Sequence, residues 1–570
     1  MSRTHRPSLL GALLWTGIGV AVLLYNLNVI PNLWSIVSRY WPILLILLGL
    51  GKVIDYYRHK EGVSIRAGEI IGIVFLLLIG TAITRVHNSR IGEVFRDIPL
   101  TIGGASVQPG EWLGTSYTYT QEATYPLTAP TPLRFENAYG LVTVGPGSDR
   151  EVRVQLRKVV FHKEESQAKE IASEIRLEAG PEGRAEVAPG KVEAEPPSAA
   201  GATTFVVRTN RDALSSKNYQ FRTDLEILVP KKSQVLVRNS YGEVRVANLD
   251  GKQDLSTTHK PIDVRDCTGE FLISNRYAES RLTNLTGNVT VDARGRVTME
   301  SIKGNVDVRD EYSPVEIRDV EGGVKVTNTE SSIRVAKVTK PVIIDARGTQ
   351  VTVEDLSDTL KIATSHRRVR ITDAASNVSL ESRYASVTME NIKGNLDIDS
   401  NSDNLNLDEI QGYLRIKGQG SGVRVNSVKG PVEIQTTLKD AVVNNFQNGC
   451  KVTNEYADVT LSTGTLGKSE VSVKNRNGAI ELFLPEDAGF QIEATAKNGR
   501  VNSEFPGLEP TQAAGDTGSL KAKLKSGTPK LLLETEYGNI NIRTRGSEGS
   551  ESSGSEGRRQ RRVRVTAELR

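Results

Sequence analysis

The chain has 570 residues, with 72 Lys+Arg against 68 Asp+Glu, 38% hydrophobic and 5% aromatic residues, and two Cys. Few Phe and Met leave Val, Ile and Leu to build any core, which suits strand-lined interiors. Cys267 and Cys450, far apart in sequence, exclude a disulfide framework and a Cys-rich zinc site.

The first predicted elements are membrane helices. Ser8 to Leu27 contains no charge, and its length matches the ~30 Å hydrocarbon core. Residues 34–54 and 67–84 form two further apolar runs, with Trp34, Tyr40 and Trp41 placed as an interfacial aromatic belt. No small-x-small cleavage site follows the first run before Tyr25 and Asn26, so it reads as an uncleaved anchor. Lys52, Arg58, Lys60 and Arg66 between the second and third runs put that loop in the cytoplasm and deliver everything after Thr84 to the far side of the membrane. Arg85, Arg90 and Arg96 on the outer flank weigh against that orientation.

Residues 85–132, rich in Gly, Pro and Thr, read as a membrane-proximal stalk. Residues 133–234 hold strand-like pieces and one amphipathic helix candidate around Lys163 to Ile175, and read as an N-terminal cap. From Val235 the sequence repeats every 18 residues, with position 1 at Val235, Gln253, Phe271, Val289, Val306, Val324, Val342, Leu360, Val378, Leu396, Leu414, Val432 and Cys450. One step is 17. Apolar residues recur at positions 1, 3, 10, 12 and 15, and Gly is usual at 17. That spacing fits no 3.6-residue helix and predicts two short strands per unit, stacked unit on unit as a parallel β-solenoid. At about 4.8 Å per turn the regular part, 235–468, would form a rod on the order of 60 Å long. Both Cys fall on core slots and read as small buried hydrophobes. Residues 469–545 loosen the period and read as C-terminal rungs and a cap, and 546–570 as a disordered Gly/Ser/Glu linker with an Arg-rich end.

Two resemblances follow from particular residues. The run SLLGALLWTGIGVAVLLYNLNVIPNLWSIVSRYWPILLILLGLGKVI, about residues 8–57, resembles the LiaI/LiaF-like transmembrane region of bacterial envelope-stress proteins. The repeated pattern in NAYGLVTV, NSYGEVRV and TEYGNINI, within about 133–545, is similar to the bacterial putative-adhesin β-strand-repeat family. That second resemblance implies a right-handed β-solenoid with no established catalytic residues.

Position 7 carries Tyr241, Tyr277, Tyr312, Tyr384 and Tyr456, with His259 and His366 in the same slot. Such a row offers ring faces to a glycan, or else plugs the corner and covers neighbouring turns. Asp397, Asp399, Asn401, Asp403 and Asp408 resemble the front of a calcium loop. Ser402 stands where such a loop needs Gly, however, and the alternation with Leu396 and Ile398 turns Asp397 and Asp399 outward. No metal or other cofactor is therefore expected. HExxH, GxSxG, P-loop and GxGxxG patterns are missing from the sequence, and paired outward Asp and Arg, such as Asp307 and Arg309, are what any solvated ladder shows.

Charge removes one class of partner. Residues 1–66 carry +5 and 546–570 carry +2, leaving −3 between them, which is no footprint for nucleic acid. The sequence thus predicts a membrane-anchored, non-catalytic β-solenoid outside the cytoplasmic membrane of a bacterium. Its expected partners are the lipid bilayer and envelope polysaccharide or envelope proteins. The competing readings are an envelope-stress regulator signalling through its membrane helices and a polysaccharide-active β-helix enzyme.

Overall fold

Each three-residue alternation of apolar and polar residues makes a strand too short to stand alone, so both of its edges must be paired by neighbouring turns of the chain. The computed structural model describes residues 115–127, 130–182, 204–217, 219–512, 516–525 and 527–545, with the short strands Leu100–Ile102, Ala105–Val107 and Glu186–Val187. The expected spans 8–27, 34–54 and 67–84 and the tail 546–570 lie outside the described residues. Among the described residues no helix is long and apolar enough to cross a membrane. Two compact units divide the chain: Met1–Tyr117 with Val160–Lys169, and Thr118–Val159 with Glu170–Arg570. In the first, Leu100–Ile102 and Ala105–Val107 pair antiparallel. The second is the solenoid.

Its turns, about 14 in number and near 18 residues each, build two parallel sheets. The first strand of every unit enters one sheet, with Val235 opposite Gln253, Gln253 opposite Phe271, and so on to Val432 opposite Cys450. The second strand enters the other sheet, from Val244 opposite Ile262 to Ala441 opposite Val459. At the 17-residue step Val289 pairs with Val306 and Ser280 with Val297, so the lost residue is absorbed at the corner around Gly295 and neither sheet slips. A one-residue slip would have turned every core side chain to solvent.

Between the sheets lies a narrow core. In the unit at 306, Val306, Val308, Val315, Ile317 and Val320 are all 2% exposed or less. Burying a Val or Ile side chain stabilises by about 1.5–3 kcal/mol, so each turn adds an increment that repeats along the stack. Cys267 and Cys450 sit in this core as free thiols. Burial raises both, Cys450 to about 12.

The sequence reading left out one inward row. Position 5 also faces in, and it is mostly polar: Asn239, Thr257, Asn275, Asp310, Asn328, Ser382, Ser400, Thr436 and Asn454 are all buried. These side chains take up the main-chain groups of the adjoining corner. Asn275 donates from Nδ2 to the carbonyls of Lys260 (3.3 Å) and Glu279 (3.1 Å), and Asn454 does the same to Lys439 (3.2 Å) and Ala457 (3.1 Å).

Chain order breaks at both ends of the stack. Leu133–Asn137 and Val142–Pro146 form a full turn in register with the repeats, lying between the 235–247 turn on one side and Phe205–Thr209 and Phe221–Val229 on the other. At the far end Lys530–Tyr537 and Ile540–Thr544 slot between the 471–484 turn and Phe490–Asn498 with Val501–Ser503. Antiparallel strands finish the first sheet, Leu177–Pro181 at one end and Gly518–Leu524 at the other. A parallel edge that would invite further strands is thereby covered. The expected helix is present as Glu165–Glu174, while Thr115–Pro126, inside the stretch read as a stalk, forms a strand.

Candidate functional site

The corner joining the first strand of each unit to the second sets the position-7 side chains. In the first four regular turns the leading strand ends at position 5, as in Val235–Asn239 and Val289–Ala293. From the unit at 306 to that at 414 it runs to position 6, and the next residue takes a left-handed conformation: Tyr312 (φ 69), Glu330 (59), His366 (67), Tyr384 (56) and Ser402 (61), with Gly348 (59) and Gly420 (65). A bulky residue is strained there. The gain is one more ladder bond, because the N–H of Tyr312, His366 and Tyr384 each donates to a carbonyl of the following turn at 2.8–2.9 Å.

The predicted aromatic row is broken into pieces. Tyr241 stacks on His259 with ring centroids 4.5 Å apart and an interplanar angle of 13°, and His259 leans on Tyr277 at 5.2 Å and 42°. Further along, His366 stacks on Tyr384 at 5.3 Å and 27°. Gly295 and Glu330 flank Tyr312 in the neighbouring turns, and Leu438 precedes Tyr456. Tyr277, Tyr312 and Tyr384 do not plug the corner, being 58%, 63% and 59% exposed where the left-handed or wide turn throws them outward, while Tyr241 and His259 are half-buried. Sequence reasoning missed exposed Tyr537, which lies in the quoted TEYGNINI motif at the same slot. It also missed that Tyr139 of NAYGLVTV is buried, under the guanidinium of Arg211 at 5.3 Å.

The calcium candidates do not converge. Asp397 and Asp399 point out from the strand Leu396–Asn401, whereas Asp403 is fully buried, accepting from the Ser382 hydroxyl and from the Ala385 N–H at 2.6 Å. Burial raises the Asp403 carboxyl above the ordinary carboxylate range. Asp397 accepts from the Tyr413 hydroxyl at 2.7 Å, which raises that phenol. Asn401 ends the strand at the corner, and Asp408 lies in the other sheet on Asn404–Ile410. Among the described residues no group of three or more His, Cys, Asp or Glu could hold a metal ion. Asp397 and Asp399 instead join Lys361, Glu381, Arg415 and Lys417 around a shallow depression on the outer face of the first sheet. Alternating charges there cancel locally.

Elsewhere many outward cations have acid partners in one of two arrangements. These pair with acids two residues along the strand, as in Arg245–Glu243 (2.6 Å), Arg265–Asp263 (2.9 Å) and Arg281–Glu279 (3.2 Å), or with an adjacent turn, as in Arg238–Asp254 (2.7 Å) and Lys451–Glu433 (3.3 Å). Such exposed pairs are each worth about 0–1 kcal/mol. They shape the surface more than they hold the fold.

Two in-register parallel sheets repeating every 18 residues, with polar rows outside and a polar ladder within, define a parallel β-solenoid repeat protein. More narrowly, the chain belongs to the Toastrack DUF4097 family, whose model matches residues 208–543. A crystal structure of "a putative cell adhesion protein from Clostridium sporogenes" aligns with 75% of this chain and 100% of that one at 8% identity. Its TM-score of 0.13 carries no argument. No curated protein matches the chain. The stretch resembling the LiaI/LiaF-like region lies outside both the family match and the described residues.

Proposed function

We propose that the chain is a membrane-anchored, non-catalytic β-solenoid displayed on the extracytoplasmic side of a bacterial membrane, acting as an adhesive or envelope-binding scaffold. The observation that carries this reading is the register of the outward rows, which repeats the same surface position turn after turn from Val235 to Asn454. Many weak contacts at a fixed spacing favour an extended, repetitive partner such as an envelope polysaccharide, because linked weak contacts add up in effective concentration. Exposed Tyr277, Tyr312 and Tyr384 supply apolar contact on the same corner. Side placement rests on the charge-free run of residues 8–27 and the basic loop before the third apolar run.

Protease treatment of intact spheroplasts tests the placement, and digestion of the solenoid is the expected result. Protection that ends only on lysis would put it in the cytoplasm and sink the reading. A triple Tyr277→Ala, Tyr312→Ala, Tyr384→Ala variant is expected to lose binding in a polysaccharide pull-down, and unchanged binding would remove the aromatic contacts from the account. The resemblance of residues 8–57 favours a second reading, an envelope-stress regulator. Deletion would then change a stress transcriptional response with surface attachment intact. Polysaccharide degradation by the purified protein would overturn both.

A further inference from the structure

One corner of the solenoid gathers several exposed Arg side chains in adjacent turns. In the three successive turns starting at Val342, Leu360 and Val378, the corner carries Arg347, then His366, Arg367 and Arg368, then Arg383 and Tyr384, all exposed. Arg347 and Arg383 occupy the same row, each in register with Ser365 of the turn between them. Two turn spacings put them about 10 Å apart. Positions 6 to 9 of these turns contain no acidic residue. Arg383 reaches Glu381 at 3.9 Å, with both side chains 66% exposed, and among the described residues Arg347, Arg367 and Arg368 have no ion pair.

The backbone holds this cluster in place. His366 and Tyr384 keep their left-handed conformations through N–H bonds to Arg383 O (2.8 Å) and Asn401 O (2.9 Å), and their stacked rings form a ridge among the guanidinium groups. Arg side chains on a rigid ladder, with only Arg383 holding one long ion pair, suit bidentate capture of phosphate oxygens. The strip is narrow. Glu330 stands one turn before it, Glu381 on one sheet and Glu390 on the other, so a broad anionic bilayer would meet acids on its flanks. A single flexible chain would not. The two rings already face each other, which leaves no slot between them for a nucleobase.

We propose that Arg347, Arg367, Arg368 and Arg383 form a binding site for a linear polyol-phosphate polymer, read through its phosphodiester groups. This inference rests on the envelope-binding reading above and names a ligand class for it.

The test uses the full-length protein in neutral-lipid nanodiscs. Poly(glycerol phosphate) is titrated against wild type, against an Arg347→Gln, Arg367→Gln, Arg368→Gln, Arg383→Gln variant, and against an Arg245→Gln, Arg265→Gln, Arg281→Gln, Lys451→Gln control that removes the same charge from paired positions. Affinity should fall at least tenfold in the corner variant and less than twofold in the control, with circular dichroism unchanged in both, and wild-type binding should weaken with salt. Equal losses in the two variants, or no wild-type binding, would overturn the proposal. Tighter binding of a single-stranded oligonucleotide of equal charge, or of phosphatidylglycerol vesicles, would overturn it in favour of that partner. Attachment to purified envelopes, measured in parallel, separates the two readings. Wild type that attaches but ignores the polymer removes this site only, and wild type that does neither removes the envelope-binding function as well.

Discussion

Replacing Asp310 by Asn should make one turn of the solenoid more stable, and only above acidic pH. Asp310 is 3% exposed on the inward row; its Oδ1 accepts from the Ser313 N–H (3.0 Å) and Asn328 Nδ2 (3.1 Å), while Oδ2 is buried with no partner. Desolvation pushes the carboxyl up to about 7. In the unfolded chain it titrates near 3.9. Between those values the folded state holds a proton that the unfolded state has lost, so unfolding free energy falls as pH rises, by about 1.4 kcal/mol per unit. Below pH ~4 there is no penalty. By pH ~7 the penalty reaches about 4 kcal/mol and grows no further. Asn carries no such cost, and Asn is the residue that already fills this row in other turns, at Asn275 and Asn454. Because a repeat array opens locally, hydrogen exchange on peptides spanning 306–328, corrected for intrinsic rate, is the suitable assay. At pH 8 the variant should show between tenfold and a thousandfold more protection than wild type, shrinking towards none near pH 4, on the scale of about 1.4 kcal/mol per tenfold. Parallel pH dependence in the two proteins would mean the carboxylate is hydrated in place, and the reasoning from burial would fail.

Four other outcomes are expected. Asn275→Ala removes bonds to two corner carbonyls and should cost about 1–3 kcal/mol, seen as faster exchange confined to the adjoining turns. Gly287→Ala should open the stack locally, since at φ +130 its Cβ would stand 1.7 Å from the Gly269 carbonyl oxygen. Gly348→Ala (φ +59, nearest atom Glu330 Cγ at 3.5 Å) should cost no more than about 1–2 kcal/mol, and melting curves of the two variants give the comparison. Cys450 and Cys267, both raised by burial, should resist iodoacetamide at pH 8 in the folded protein and react fully in denaturant, as read by mass spectrometry.

Much of the fold was legible because a strand's two-residue alternation and the 18-residue period leave one way to bury Val306, Val308, Val315, Ile317 and Val320 together. The polar inward row escaped because Asn275 or Thr436 beside a corner looks like turn chemistry, and only the folded corner shows which carbonyls need a donor. The ends escaped for a different reason. Periodicity says which residues stack but not in what chain order, so Leu133 beside Val235 and Leu531 between Val471 and Ile492 could not be read from spacing. The aromatic slots were visible, but their exposure depends on whether the corner is wide or left-handed. The basic corner was hidden in a near-neutral average, since His366, Arg367 and Arg368 form a basic cluster only once Arg347 and Arg383 are laid beside them.

The inserted turn at the C-terminal end bears on how the molecule takes a pull. A pull on the C-terminal side of the stack would enter at Thr544, in a turn set one course in from the end. That turn is bonded on both sides, so the first event under such a pull is the loss of two ladders at once, not the peeling of one outer strand. Like a bolt set back from the end of a wall, this insertion shifts the weakest point away from the terminus. Rupture there would then be an abrupt, high-force step.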